Sequence, residues 1–294
     1  MANLGICSLC LERRPLTFEH IPPRRVFNNA PAVAHTIYGL HLGSKYKKEP
    51  VLQNARRGLG RSTLCEECNG KTASLYGEAF AEWTTQCLRY ADKLSGSNGL
   101  VLSFSIQPLN VLKQIATMIV AVSGLQRGGT TVDGLRSFVL SPKLMNLPAD
   151  ICFATYFNPA DPRRAGNPVL TQNRLAESCA VLDIRSGTSV LVLGEVAFPP
   201  MGYVAYSAPA SVRVSDDFVT LLNLRSFTNH LYGSRASLFM GIPVRYPFGP
   251  IPGYYPDINQ PGIHKFLDDN HILLTNIRLG INKIVHRLSS YSVA

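Results

Sequence analysis

Two cysteine pairs constrain the fold of this chain more than any other feature of its sequence. Cys7 and Cys10 form one C-x-x-C pair, and Cys65 and Cys68 form a second. Each pair can lie on a tight turn that directs both sulfurs at one tetrahedral ion, so the two pairs predict a four-thiolate zinc site. Because residues 11–64 separate the pairs, we expect a further folded segment between them.

Three more cysteines, Cys87, Cys152 and Cys179, stand alone. A total of seven cysteines and a start without a secretory pattern argue against a disulfide framework and favour the cytoplasm. A redox role for either pair is less favoured than zinc, because no thioredoxin-like βαβ pattern surrounds them. We expect the three single cysteines to be buried apolar residues.

The charge of the chain favours a polyanionic partner, most simply nucleic acid. The net charge is +10 and the isoelectric point is about 9.4. Residues 1–75 hold eleven Lys or Arg against five acids, so a quarter of the chain carries +6. A hydrophobic fraction of 46% excludes a disordered chain. The most apolar run, 111–125, is shorter than the roughly 20 residues of a membrane span, so no membrane partner is expected.

The residue pattern predicts a mixed α+β protein in two parts. Residues 24–64 look irregular, and Ser95–Gly99 has the composition of a linker. We therefore divide the chain into residues 1–94, around the cysteines, and residues 100–294. Helices are predicted at 68–93, 108–124 and 216–231, and strands at 100–107, 151–157, 179–183, 189–197 and 202–206. A loop is predicted at 245–256.

Three residues near the cysteine pairs have the residue types of a catalytic site. Glu19 and His20 precede Ile21-Pro22-Pro23, and Asn69 follows Cys68 directly. Adjacent residues of a strand point to opposite faces, so the carboxylate can bind a metal while the histidine faces a substrate. We expect Asn69 to begin a helix, from which its amide oxygen can reach the same cation.

Together with the cysteine pairs, these residues resemble the HNH, or ββα-metal, endonucleases of the zinc-containing kind. Their pattern is C-x2-C, an acidic-His dipeptide often followed by Ile or Val and a Pro, and C-x2-C-Asn entering a helix. The resemblance covers about residues 5–90. It implies an N-terminal ββα-metal zinc module, and we expect a mixed α+β domain to follow it.

The resemblance also implies a role for each matching residue. His20 matches the general base that takes a proton from the attacking water. Glu19 and Asn69 match the ligands of one Mg²⁺ or Mn²⁺ ion. Cys7, Cys10, Cys65 and Cys68 match the ligands of a structural zinc ion.

The chain departs from the family pattern in two places. Glu19 stands where Asp is common, and its longer side chain can still reach a cation. The segment between His20 and Cys65 is also longer than in a minimal module, so residues 28–60 are interpreted as an insertion. The family often carries a further Asn that braces the histidine, and Asn54 is our candidate for it.

Basic residues surround the motif and are predicted to contact nucleic acid. DNA is the expected partner, and RNA is not excluded. The same residues could instead form an ordinary solvated face. The predicted contacts are Arg24, Arg25, Arg56, Arg57, Arg61 and Lys71.

Taken together, the sequence predicts a metal-dependent HNH endonuclease that hydrolyses phosphodiester bonds. The alternative is a zinc-stabilised nucleic-acid-binding protein without catalysis. Residues 100–294 would select the substrate, sense a signal, or mediate assembly with a second copy or a regulatory partner. They contain no motif of a second enzyme. A nuclease joined to an unrelated domain suits host defence, by analogy only.

Overall fold

Among the described residues, the fold combines three antiparallel sheets with three α-helices, which confirms the mixed α+β class. The computed structural model describes residues 3–26, 28, 32–36, 53–55, 58–91, 101–123, 130–158, 173–176, 179–183, 188–207, 221–243 and 278–282. The α-helices are α1 (Glu66–Ala91), α2 (Pro108–Ser123) and α3 (Thr130–Leu140), and a 3-10 helix spans Arg225–Asn229. The strands are β1 (Asn3–Ile6), β2 (Arg13–His20), β3 (Ala32–Thr36), β4 (Gln53–Ala55), β5 (Gly60–Cys65), β6 (Val101–Ile106), β7 (Ile151–Phe157), β8 (Asn173–Ala176), β9 (Cys179–Asp183), β10 (Thr188–Phe198), β11 (Met201–Ser207), β12 (Leu222–Asn223), β13 (Ala236–Gly241) and β14 (Arg278–Asn282).

The smallest complete unit is a three-stranded sheet that leads directly into a helix. β2 lies between β1 and β5, all antiparallel, and α1 begins at the residue after β5. The register pairs Glu19 with Arg61 and His20 with Gly60. The two ends of the long segment between β2 and β5 are therefore brought side by side.

The second sheet has nine strands and gathers residues from distant parts of the chain. Its order is β12-β7-β11-β10-β8-β14-β3-β4, and β9 also pairs with β10. β3, β4 and most of β5 come from residues 24–64, the segment predicted to be irregular, so that prediction is wrong for 32–36, 53–55 and 60–64. The partner of β3 is β14, more than 200 residues further along the chain. A third sheet pairs β6 with β13.

The hydrophobic core is built around α2, whose residues are all buried. Trp83 of α1 packs against Phe104 of β6, with ring centroids 4.9 Å apart. Its indole N–H donates a hydrogen bond to the hydroxyl oxygen of Tyr203 on β11, at 2.8 Å. One hydrophobic core thus contains residues from both sides of the expected linker. The division of the chain into residues 1–94 and 100–294 stays a prediction.

Most of the predicted elements after residue 66 are confirmed within the described residues. The predicted helix at 216–231 is wrong in its described part, which forms β12 and the 3-10 helix. The side-chain oxygen of Asn223 accepts a hydrogen bond from the Arg225 N–H at 2.8 Å, a local turn that competes with an α-helix. Residues 216–220 and the predicted loop at 245–256 lie outside the described residues.

No helix among the described residues combines the length and apolar character needed to cross a bilayer.

Candidate metal centre and candidate active site

Four cysteines meet where the three-stranded sheet joins α1. Cys7 and Cys10 lie on the turn between β1 and β2, Cys65 ends β5, and Cys68 lies in the first turn of α1. Their four sulfur atoms all lie within 4.8 Å of one another. Four soft donors this close match the tetrahedral ligand set of a zinc ion. The structure therefore supports a structural metal site with the ligands that the sequence predicts.

Hydrogen bonds shape the turn that carries the first cysteine pair. The Leu11 N–H donates to the Cys7 carbonyl at 2.9 Å, and the Cys7 N–H donates to the Glu12 carbonyl at 2.9 Å. Leu11 closes the turn with a positive φ of 62°. The Cys65 N–H donates to Cys7 Sγ at 3.3 Å, which links the two pairs.

The protonation of the sulfurs shows why a cation suits this cluster. Burial opposes ionisation of Cys7, but N–H groups of Cys65, Cys10 and Leu9 aimed at its sulfur lower its pKa overall. Burial and the Cys7 charge raise the pKa of Cys68 well above its usual range. Sulfurs this close cannot all be thiolates unless a cation compensates their charge.

Glu19 is a buried carboxyl group near the end of β2. It is 6% exposed, and its Oε2 accepts no hydrogen bond from any described residue. Burial, followed by the nearby Cys7 charge, raises its pKa to about 8. Its cross-strand neighbour Arg61 forms no ion pair with it. An orphaned carboxylate oxygen is a site that a hard divalent cation can satisfy.

His20 ends β2 and remains half-buried, within reach of solvent. The Phe18 ring packs edge-to-face against the imidazole with centroids 5.1 Å apart. Gly60, opposite His20, makes room for this arrangement, because a Cβ there would lie 2.7 Å from the Phe18 ring. Phe18 and His20 thus share one face of β2, as alternation requires, while Glu19 between them is buried. No sequence signal pointed to Phe18.

Asn69 lies in the first turn of α1 and reaches back to β2. The helix begins at Glu66, so the prediction that Asn69 starts the helix, with a helix N-cap as its ordinary role, is wrong. Its Nδ2 donates a hydrogen bond to Thr17 Oγ1 at 3.2 Å, and its Oδ1 has no partner among the described residues. Thr17 is two residues before Glu19 on β2, and the strand register is irregular between them. Asn69 is thus tied to the strand that carries Glu19.

A brace for this region comes from Asn28, which sequence reasoning missed. Its side-chain nitrogen donates to the carbonyls of Pro22 and Leu59, each at 2.7 Å, and its oxygen accepts from the Leu59 N–H at 2.7 Å. It therefore ties the residues after His20 to those before β5. Gly58 is required here, since its φ is +95° and a Cβ would meet Asn28 at 2.6 Å. The backbone of Asn54 lies in β4, and its side chain is outside the described residues.

The predicted nucleic-acid contacts occupy different surroundings. Arg24 and Lys71 are exposed, and Arg61 is half-buried on β5. Arg25 is exposed but forms an ion pair with Glu78 at 2.5 Å, which offsets its charge. Arg56 and Arg57 lie outside the described residues.

The two single cysteines whose side chains are described are not part of this centre. Cys87 is fully buried in the core, as expected, whereas Cys152 is half-buried on β7. The backbone of Cys179 lies in β9, and its side chain is outside the described residues.

Comparison with protein-family models, with curated proteins and with solved structures finds no match to this chain.

Proposed function

We propose that this protein is a metal-dependent endonuclease of the HNH type that hydrolyses phosphodiester bonds in DNA. The observation that carries the proposal is the buried, unpaired Oε2 of Glu19 beside the accessible His20. Both residues belong to a sheet-and-helix unit in which four cysteines converge. A buried carboxylate oxygen without a hydrogen-bond partner is uncommon in native proteins, and a bound cation is one arrangement that satisfies it.

The chain's own residues have distinct roles in this proposal. Glu19 and Asn69 hold one Mg²⁺ or Mn²⁺ ion through side-chain oxygens. A bound ion of this kind would stabilise charge on the phosphate and on the leaving 3′-oxygen.

His20 accepts the proton of the attacking water, as histidine side chains commonly do in general base catalysis. The edge of the Phe18 ring limits the orientations of the imidazole. Asn28 fixes the backbone that follows His20. The exposed Arg24 and Lys71 contact backbone phosphates, which positions the nucleic acid without reading its sequence.

The test is cleavage of supercoiled plasmid with Mg²⁺ or Mn²⁺. The wild type should nick or linearise the plasmid. His20→Ala should lower the rate by roughly 10²–10⁴-fold, the usual contribution of a general base, and should keep its zinc. His230→Ala is the matched control, because His230 is also half-buried but follows the 3-10 helix.

Two outcomes would contradict the proposal. Equal cleavage by wild type and His20→Ala would show that His20 is not the base. Salt-sensitive plasmid binding without cleavage by any zinc-loaded sample would favour the alternative, a zinc-stabilised nucleic-acid-binding protein.

A further inference from the structure

Arg136 of α3 is a buried cation that contacts the backbone of the first cysteine turn. It is 4% exposed. Its Nε donates a hydrogen bond to the Ser8 carbonyl oxygen at 2.9 Å, and its Nη1 bonds Asp133 Oδ1 at 2.6 Å. Ser8 lies between Cys7 and Cys10, whereas Arg136 is 128 residues away along the chain. An element outside residues 1–94 thus helps to form the turn of the metal centre.

The second cysteine pair is linked to the same part of the chain. The Ser8 N–H donates to the Thr63 carbonyl at 2.8 Å, and Thr63 lies two residues before Cys65. The Thr63 hydroxyl in turn donates to the Ala121 carbonyl of α2 at 3.0 Å. Both cysteine pairs are therefore connected by hydrogen bonds to helices beyond residue 100.

The side chain of Arg136 is suited to holding this turn in place. A guanidinium keeps its charge under all ordinary conditions, and its planar fork can hold two acceptors at once. Here it holds the Ser8 carbonyl and the Asp133 carboxylate, and the ion pair with Asp133 offsets its charge. Arg136 therefore acts on the cysteine turn through its hydrogen bond to Ser8.

We propose that Arg136 is a positioning residue of the four-cysteine zinc site, so that zinc binding is coupled to the docking of α3. The guanidinium holds the Ser8 carbonyl and so keeps Cys7 and Cys10 in ligating positions. By linkage, bound zinc stabilises the docking of α3 to the same extent. This inference concerns the zinc site alone and does not rest on the proposed nuclease activity.

The test is the zinc affinity of the full chain, measured by competition with a chromophoric chelator. Arg136→Gln should weaken zinc binding by roughly 10–100-fold, the usual effect of losing a partner that orients metal ligands. Arg136→Lys should fall between this variant and the wild type, because lysine keeps the charge but not the fork. The cobalt-substituted Arg136→Gln protein should also show an altered thiolate-to-metal absorption band.

Arg225→Gln is the matched control. Arg225 also donates to backbone carbonyls, including those of Leu147 and Ile151, at 3.3 and 3.0 Å, but these belong to the segment before and at the start of β7. Its variant should bind zinc as the wild type does. Wild-type affinity in folded Arg136→Gln, or an equal loss in Arg225→Gln, would overturn the proposal.

A measurement on the wild type covers the case in which Arg136→Gln does not fold. Zinc is removed with a chelator, and amide hydrogen exchange is followed in α3 and in residues 225–229. We expect faster exchange in α3 and no change at 225–229. Unchanged exchange in α3, or an equal increase in both segments, would contradict the coupling.

Discussion

The end of β2 and the middle of α2 each bury one ionisable side chain, but the two side chains differ in their hydrogen-bond partners. Lys113 of α2 is fully buried, and its Nζ donates to the carbonyls of Phe138, Ser141 and Leu144. The ammonium also lies over the Phe138 ring, 3.8 Å from its centroid. Glu19, in contrast, has a buried Oε2 with no partner among the described residues. Lys113 has its hydrogen-bond partners within the fold, whereas Glu19 Oε2 has none among the described residues.

This difference separates a stabilising residue from a candidate functional one. The bonds of Lys113 satisfy carbonyls at the end of α3 and just beyond it. Glu19 stabilises nothing that the structure describes, and burying it costs free energy. Sites of function are where such unfavourable groups are retained.

The largest expected effect is a loss of local stability in the three-stranded sheet that spares the apolar core around α2. Cys68→Ser removes one zinc ligand, and the three-stranded sheet depends on that site more than α2 does. The stability of β1, β2 and β5 against local opening should fall by up to about 10 kcal/mol, the scale of a structural zinc site. Hydrogen exchange measures this, and α2 should keep its protection.

Cys152→Ser is the control for that change, because Cys152 is half-buried and lies outside the cluster. Equal loss of protection in α2 and in the small sheet of Cys68→Ser would show that the two regions do not differ in this respect.

Lys113→Met should destabilise the protein. Methionine fills a similar volume but removes the ammonium donor of three carbonyls, of which only that of Ser141 keeps a hydrogen bond within the described residues, from the Leu144 N–H. We expect the free energy of unfolding to fall by about 2 kcal/mol, since an orphaned buried acceptor costs roughly 1–3 kcal/mol. Urea denaturation followed by the fluorescence of Trp83 measures the change. A variant as stable as the wild type would mean that these carbonyls find other donors.

Glu19→Gln should instead raise the free energy of unfolding, when no cation is bound at Glu19. The amide keeps the shape of the side chain but removes the cost of burying an ionisable group. The free energy of unfolding at pH 7 should rise by about 1–2 kcal/mol. Glu195→Gln is the control, because Glu195 is a buried carboxyl whose Oε1 accepts a hydrogen bond from the Tyr156 hydroxyl at 2.6 Å. A loss of stability in Glu19→Gln would argue that Glu19 has a structural role.

The smallest expected effect is a change of the unfolding free energy with pH, caused by the titration of Lys113. Burial lowers its pKa from 10.5 to about 7. Between these values the unfolded chain binds more protons than the folded one, so this contribution makes stability rise with pH above 7. The slope is at most about 1.4 kcal/mol per pH unit, and the carbonyl acceptors reduce it. The difference in unfolding free energy between wild type and Lys113→Met should therefore grow from pH 7 to 9. A constant difference would contradict the lowered pKa.

The sequence predicts the features of the metal centre that depend on local spacing. The C-x-x-C pairs predict the four converging sulfurs, and the apolar run at 108–124 predicts α2 within one residue. The Glu19–His20 step predicts side chains on opposite faces of a strand, and in the fold Glu19 is buried while His20 is half-buried. These features depend on turn geometry and on the period of helix and strand, which neighbouring residues determine.

Features that depend on distant contacts escape such reasoning. β3 pairs with β14, and nothing within the segment 32–36 identifies that partner. Asn28 and Arg136 look like ordinary polar residues until the fold brings Leu59 and Ser8 to them. The predicted helix at 216–231 fails for a local reason, because the periodic pattern conceals the turn made by Asn223.

The central claim is that Glu19 is left unpaired for a divalent cation, and Mn²⁺ binding tests it most directly. Mn²⁺ titration followed by electron paramagnetic resonance compares zinc-loaded wild type, Glu19→Gln and Glu195→Gln. We predict one Mn²⁺ site in the wild type and in Glu195→Gln, and a loss of at least about tenfold in affinity in Glu19→Gln, as expected when an anionic ligand is removed. Equal Mn²⁺ affinity in wild type and Glu19→Gln, or no Mn²⁺ site in the wild type, would contradict the claim.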